Sequence, residues 1–200
     1  MNTETENGTN GTKENRPYNG RLTIYHANSK GTGAAVRLEL KLNRDDEDRN
    51  GCFFLEMAKQ KTTASQENSQ RTPATFDWAA KATVKLGFMD VCEILTVLEA
   101  KQEQAGGTRN GLYHESAQIN TIIAFKRATE RSGYQLGISR RHADGREIFK
   151  GHILLSEVEG TGLRHLLATA LFYMVFHSSL GPQSHCAAGR LSSPPRAAGQ

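Results

Sequence analysis

Cysteine is scarce in this chain and never paired. Cys52, Cys92 and Cys186 lie far apart, and none stands in a C-x-x-C or C-x-x-H spacing, which excludes the compact zinc modules and the disulfide scaffold of a small secreted domain. A reducing compartment, no metal and no other cofactor are expected. No stretch approaches the roughly 18 consecutive apolar residues of a membrane span, and Met1 to Gly20 lacks the apolar centre of a secretory signal. Glu4, Glu6 and Glu14 are too acidic for an ordinary transit peptide, so a cytoplasmic or nucleoid-associated protein is expected.

Catalytic patterns are missing as well. Gly31-Thr32-Gly33 is no nucleotide loop, because it feeds a strand and not the helix N-terminus that would hold a phosphate; it reads as a turn. The seven histidines form no H-E-x-x-H. Asp144, Glu147 and His152 stand close in sequence but read as turn acids beside a strand, not as an acid/base group. The expectation is a binding protein that is not an enzyme.

What is present is period-2 alternation. Val36, Leu38, Leu40 and Leu42 share one face of a strand opposite Arg37, Glu39 and Lys41, and Cys52 to Lys61 returns as its neighbour. Phe76, Trp78, Ala80, Ala82, Val84 and Leu86 make a longer strand opposite Asp77, Lys81, Thr83 and Lys85. Arg21 to His26 supplies the first strand, so four strands precede a helical stripe of Phe88, Val91, Cys92, Leu95 and Leu98, expected to run to about Gln104 and to end at Ala105-Gly106-Gly107. The second half repeats the plan. Gln118 to Arg127, Tyr134 to Arg141 and Glu147 to Leu155 read as strands, a short piece near Leu112 to His114 completes four, and Ser156 with Glu159 forms a capping box before a second amphipathic helix. Strands grouped before each helix exclude a doubly wound parallel sheet. The expected class is α+β, two tandem β-β-β-β-α repeats whose antiparallel sheets pack with helices. Residues 21–177 form one domain, between polar tails at 1–20 and 178–200 that are expected to be disordered.

Charge is sorted by element. The six clearest strands hold eleven basic residues against the four acids Glu39, Glu56, Asp77 and Glu147, whereas the helical segments are mostly acidic. A polyanion would therefore meet the sheets. Sequence-tolerant binding of a single strand needs cations for phosphates and flat rings for unpaired bases. Lys30, Lys59, Lys61, Lys81, Lys85, Arg140 and Arg141 are candidates for the first role. Tyr25, Phe54, Trp78 and Tyr134 are candidates for the second, although Trp78 and Tyr134 fall on the apolar faces of their strands.

The order of these motifs resembles the Whirly family of single-stranded DNA-binding proteins. Phe76-Asp77-Trp78, a Lys-bearing strand and a helix opening at Gly87-Phe88-Met89 are similar to that family's Tyr-Asp-Trp strand and following helix. Tyr113-His114-Glu115, the Ile-rich strand, Ser132-Gly133-Tyr134 and the Val158 helix follow its second half, so the resemblance spans about residues 20–176. It implies a homotetrameric pinwheel with helices at the centre, and a role in DNA maintenance, replication, repair or transcription. The family's Lys-Gly-Lys-Ala-Ala-Leu segment has its nearest match at Lys30-Gly31-Thr32-Gly33-Ala34-Ala35-Val36; Lys30 carries over, Thr32 replaces the second Lys and Gly33 is inserted, so the resemblance stops short of implying assemblies beyond a tetramer. Kinetoplastid guide-RNA-binding proteins share the architecture, which makes RNA binding and annealing the alternative. A protein-interaction scaffold without affinity for oligonucleotides is a third reading.

Overall fold

The computed structural model describes residues 20–42, 50–67 and 69–176. The expected tails, and most of the polar connection at 44–50, lie outside the described residues. Strands β1 (Arg21–His26), β2 (Ala34–Lys41) and β3 (Cys52–Thr62) form an antiparallel meander in the expected places. Val36, Leu38, Phe53, Leu55 and Met57 face the core, as alternation requires.

Two features of the first repeat depart from expectation. The polar loop after β3 contains a small hairpin, β4 (Ser65–Glu67) with β5 (Gln70–Thr72). The fourth strand is broken into β6 (Thr75–Phe76) and β7 (Ala82–Leu86), both paired with β3 but out of register with each other. Asp77 causes the break: its side chain accepts from the Ala80 amide at 3.1 Å, which favours a turn over the ladder. Ala82, Val84 and Leu86 are buried, whereas Ala80 lies exposed in the turn.

Helix α1 (Phe88–Leu98) opens on a capping box in which the Gly87 amide donates to the Asp90 carboxylate at 2.8 Å. It ends at Leu98, about six residues before the expected stop near Gln104, because Ala100 turns left-handed at φ 56°. The glycines at 106 and 107 instead open a short 3-10 turn. The second repeat gives β8 (Leu112–Glu115), β9 (Ile119–Arg127), β10 (Tyr134–His142) and β11 (Glu147–Leu155), in spatial order β11-β10-β9-β8. Helix α2 (Glu157–Phe176) follows, with Ser156 and Glu159 in the expected reciprocal cap.

Both sheets and both helices contribute to one hydrophobic cluster that includes Leu55, Met57, Val91, Leu95, Phe125, Ile138, Leu155, Leu163, Leu167 and Met174. Each fully buried Leu or Phe in it contributes about 1.5–3 kcal/mol of transfer free energy. Glycine at 160 is demanded by this packing, since a Cβ there would lie 2.2 Å from the Tyr134 ring. The repeats also exchange polar contacts. His26 at the end of β1 meets Glu159 of α2 at 2.7 Å, and His114 of β8 meets Asp90 of α1 at 3.1 Å. In each case a histidine from one repeat's first strand binds the capping acid of the other repeat's helix.

Helix α2 is apolar beyond what this core uses. Phe172, Tyr173 and Phe176 are exposed and pack on one another, with ring centroids 5.1 and 5.9 Å from that of Phe172. Val158, expected on the packing stripe, is also exposed. Between α2 and the inner face of β1 to β3 runs an open groove of about 700 Å³, lined by Leu22, Leu38, Leu40, Phe53, Leu166 and Tyr173 among others.

Candidate nucleic-acid interface

The face of the first sheet that points away from the core is ordered in rows by strand register. Tyr25, Ala35 and Ala58 align; Thr23, Arg37, Glu56 and Thr83 form the next row; Arg21, Glu39, Phe54 and Lys85 the one after. Successive rows are about 6.6–6.8 Å apart, comparable to the spacing of phosphates along an extended strand.

The break after Phe76 supplies the aromatic end of this face. Leaving the ladder lets the 77–81 turn re-aim Trp78, as a bulge does. The Arg37 guanidinium lies over the Trp78 ring at 4.1 Å from its centroid. Tyr25, 56% exposed, meets Trp78 edge-on at 6.5 Å and Phe76 at 5.5 Å. Lys81 reaches back from the end of the turn to Glu56. The outer face thus carries Tyr25, Phe54, Phe76 and Trp78 with five cations, Arg21, Arg37, Lys41, Lys81 and Lys85, against two carboxylates. Bonds from Lys41 and Arg21 outweigh the opposing effect of burial and hold Glu39 below the ordinary carboxylate value, so it is charged at neutral pH.

Of the residues singled out in the sequence, Tyr25, Phe54, Trp78, Lys81 and Lys85 come together here. Lys30 sits exposed on the β1–β2 turn, at the same end as Tyr25. That turn is fixed by Asn28, whose side chain accepts from the Lys30 and Thr32 amides at 3.0 and 3.1 Å, and by the buried Gln60. Lys59 and Lys61 do not join: they share the core-facing parity of β3, and the Lys59 ammonium lies 5.3 Å from the Phe149 ring centroid of β11. Arg140 and Arg141 belong to the second sheet and point to opposite faces, separated by a bulge in the β10–β11 ladder. Tyr134 is not a stacking platform. It is 4% exposed, stacked on Phe125 at 5.6 Å, with its hydroxyl accepting from Arg127 at 3.2 Å.

Arg21, Arg37, Lys41 and Phe76 were missed as a set. The parity of Arg37 placed it opposite Val36 and Leu38, but its neighbour Trp78 depends on a strand break that alternation conceals. The expectation that Phe76 to Leu86 forms one uninterrupted apolar face fails for the same reason.

The remaining chemistry is quiet. Burial pushes both the Cys52 and Cys92 thiols above their ordinary 9.0, with the Glu93 charge adding to the effect at Cys92, so neither is a thiolate nucleophile at neutral pH. Among the described residues no three His, Cys, Asp or Glu side chains gather as a metal site. Asp144 accepts from the Arg146 amide at 2.9 Å, as a turn acid does. No described helix is long and apolar enough to cross a membrane.

No protein-family model and no curated sequence matches the chain. Solved structures do. The plant transcriptional regulator PBF-2 superposes with a TM-score of 0.60 at 16% identity, over 82% of this chain and 88% of that one. WHY1 from Arabidopsis thaliana gives 0.55 at 14%, over 80% and 89%. A guide-RNA-binding protein complex bound to its guide RNA gives 0.51 at 16%, over 78% and 92%. Two antiparallel four-strand meanders, each followed by a helix, with matching structures at this coverage, identify the fold of the chain as the Whirly fold.

Proposed function

We propose that this protein binds single-stranded nucleic acid, DNA in the first instance, without strong sequence preference and without chemistry of its own. The observation that carries the reading is the outer face of the first sheet, where Trp78, Tyr25 and Phe76 cluster beside rows of cations. Cations alone would serve any polyanion. Rings beside them serve a strand whose bases are unpaired, each stack contributing on the order of 1–3 kcal/mol.

The exposed aromatics of α2 and the groove beside them support a homo-oligomer, a tetramer in keeping with the family that the fold resembles. RNA is the second reading, favoured by the likeness to the guide-RNA complex. A role in DNA repair or transcription, and a cytoplasmic or nucleoid location, belong to the same proposal.

Labelled oligo(dT) competed by unlabelled oligo(dT) and oligo(rU) tests the reading. Displacement mainly by oligo(dT) is expected; preferential displacement by oligo(rU) would replace DNA by RNA, and no binding of either at moderate salt would leave the scaffold reading. Light scattering at micromolar concentration is expected to give an oligomer, and a stable monomer would remove the pinwheel.

A further inference from the structure

Two carboxylates stand at the centre of the basic face, and nucleic-acid affinity alone gives no reason for them. Glu39 is held between Arg21 of β1 at 2.7 Å and Lys41 of its own strand; Glu56 is held between Arg37 of β2 at 3.2 Å and Lys81. The acids lie low, with side chains 12% and 14% exposed, while their four cations are 23–45% exposed. Each carboxylate therefore sits at the floor of the face, beneath cations whose outer donors reach solvent. Four of the five cations on this face already have an anionic partner, and only Lys85 stands apart from these pairs.

We infer that Glu39 and Glu56 set the preference of this face for unpaired over paired strands, an inference that rests on the binding function proposed above. A sheet four strands across, at about 4.7–4.9 Å per strand, is broader than the roughly 12 Å major groove, so a duplex offers this face phosphates and little else. Its charge density is high, one charge per about 1.7 Å of axis. A single strand carries fewer charges per unit length but turns free base faces toward Tyr25, Phe54 and Trp78. Fixed carboxylates under the cations weaken the phosphate attraction, on which the duplex wholly depends. They leave stacking intact, on which the single strand also draws. The pairs thus act as an internal competitor for phosphate, and what overcomes it is contact with bases.

Glutamine keeps the shape of both side chains and an acceptor for Arg21 and Arg37 while removing the charge. The full-length double variant E39Q/E56Q, compared with the unaltered protein by fluorescence anisotropy, is the test. The probes are a mixed-sequence oligonucleotide of about 24 nucleotides and its blunt duplex, between about 50 and 200 mM salt. Duplex affinity is expected to rise about tenfold and single-strand affinity about threefold, with the salt dependence of duplex binding steeper by about two counterions. An unchanged or larger single-strand preference overturns the inference, as does a parallel loss of affinity for both probes, which would mean that the acids only hold the cations in place. Thr23 faces Arg37 across the ladder on the edge strand, so T23E adds a third acid beside the Arg37–Glu56 pair and leaves both glutamates in place. It is expected to weaken duplex binding more than single-strand binding, and the opposite order also overturns the inference. If the unaltered protein binds neither probe, the binding function itself fails, and that result is distinct from a protein that binds but keeps its preference in E39Q/E56Q.

Discussion

The two repeats share a plan and differ on their outer faces. In the second sheet the fourth strand, β11, runs nine residues without a break beyond the Arg140/Arg141 bulge. Its outer face offers Tyr113 beside Ile122, the cations Lys126, Arg141 and Lys150, and no aromatic cluster. In the first sheet the equivalent strand is interrupted, and the interruption is what brings Trp78 onto Arg37 and Tyr25. Both repeats bury the inner faces of their strands in one core, where close packing tolerates little change. The outer faces are free to differ, and the first repeat carries its rings where its fourth strand leaves the ladder. Irregularity in one repeat, where its partner is more regular, sets apart the face proposed to bind.

The comparison breaks first if rings do not matter. Trp78→Ala together with Tyr25→Ala is expected to weaken single-strand binding at least tenfold, since each lost stack contributes about 1–3 kcal/mol. Tyr113→Ala on the second sheet should stay within about twofold. Equal losses on both sheets, in titrations with a labelled oligonucleotide, would show that the binding surface is not confined to the first.

A smaller effect concerns charge. Lys81 directly precedes β7 and Lys85 lies within it, four residues on, so their backbone positions are about 13 Å apart along one face. Replacing both by Ala should weaken oligo(dT) and mixed-sequence strands alike by about tenfold and flatten the salt dependence by one to two counterions. Melting temperature is expected to change little, because both positions are at least partly exposed. The paired replacement of Lys126 and Lys150 by Ala on the second sheet measures how far the cations there take part, and a larger loss from that pair would reverse the assignment of faces.

The smallest effect sharpens what the repeats exchange. Burial raises the Glu159 carboxyl, but bonds from Ser156 and His26 outweigh burial and leave it below its ordinary 4.5. A carboxyl depressed in the fold contributes stability that is present in full above the unfolded value and is lost as pH falls through the folded value. His26→Ala removes one of the depressing contacts, so it should cost about 0.5–1 kcal/mol near pH 6 after solvent screening. The gap to the unaltered protein should close as the pH is lowered below 4.5. Urea unfolding at the two pH values reads this directly, and a gap that persists in acid would assign the contact to packing instead.

Much of this was legible in the sequence where a local pattern decides the outcome. Strand β1 begins and ends at Arg21 and His26 as read, β11 at Glu147 and Leu155, and the Ser156–Glu159 cap stands where expected. Alternation alone carries no register, so the break at 77–81 was hidden by a pattern that continues through Phe76, Trp78, Ala80 and Ala82. The end of α1 was misplaced because Ala100, a good helix former, adopts the left-handed conformation that Gly106 advertised more loudly. Tyr134 was placed on the apolar face of its strand, and that parity is what buries it. The charge pairs of the site needed register, and the contact between His26 and Glu159 spans 133 positions, beyond the reach of any local rule.

The crossed histidine contacts make each repeat depend on the other. A lone β-β-β-β-α unit would keep its own capping box but lose the contact of its first-strand histidine, because the carboxylate that the histidine meets belongs to the other repeat's helix. The two repeats are in that sense parts of one folding unit, and cutting the chain between them is expected not to yield two independent halves.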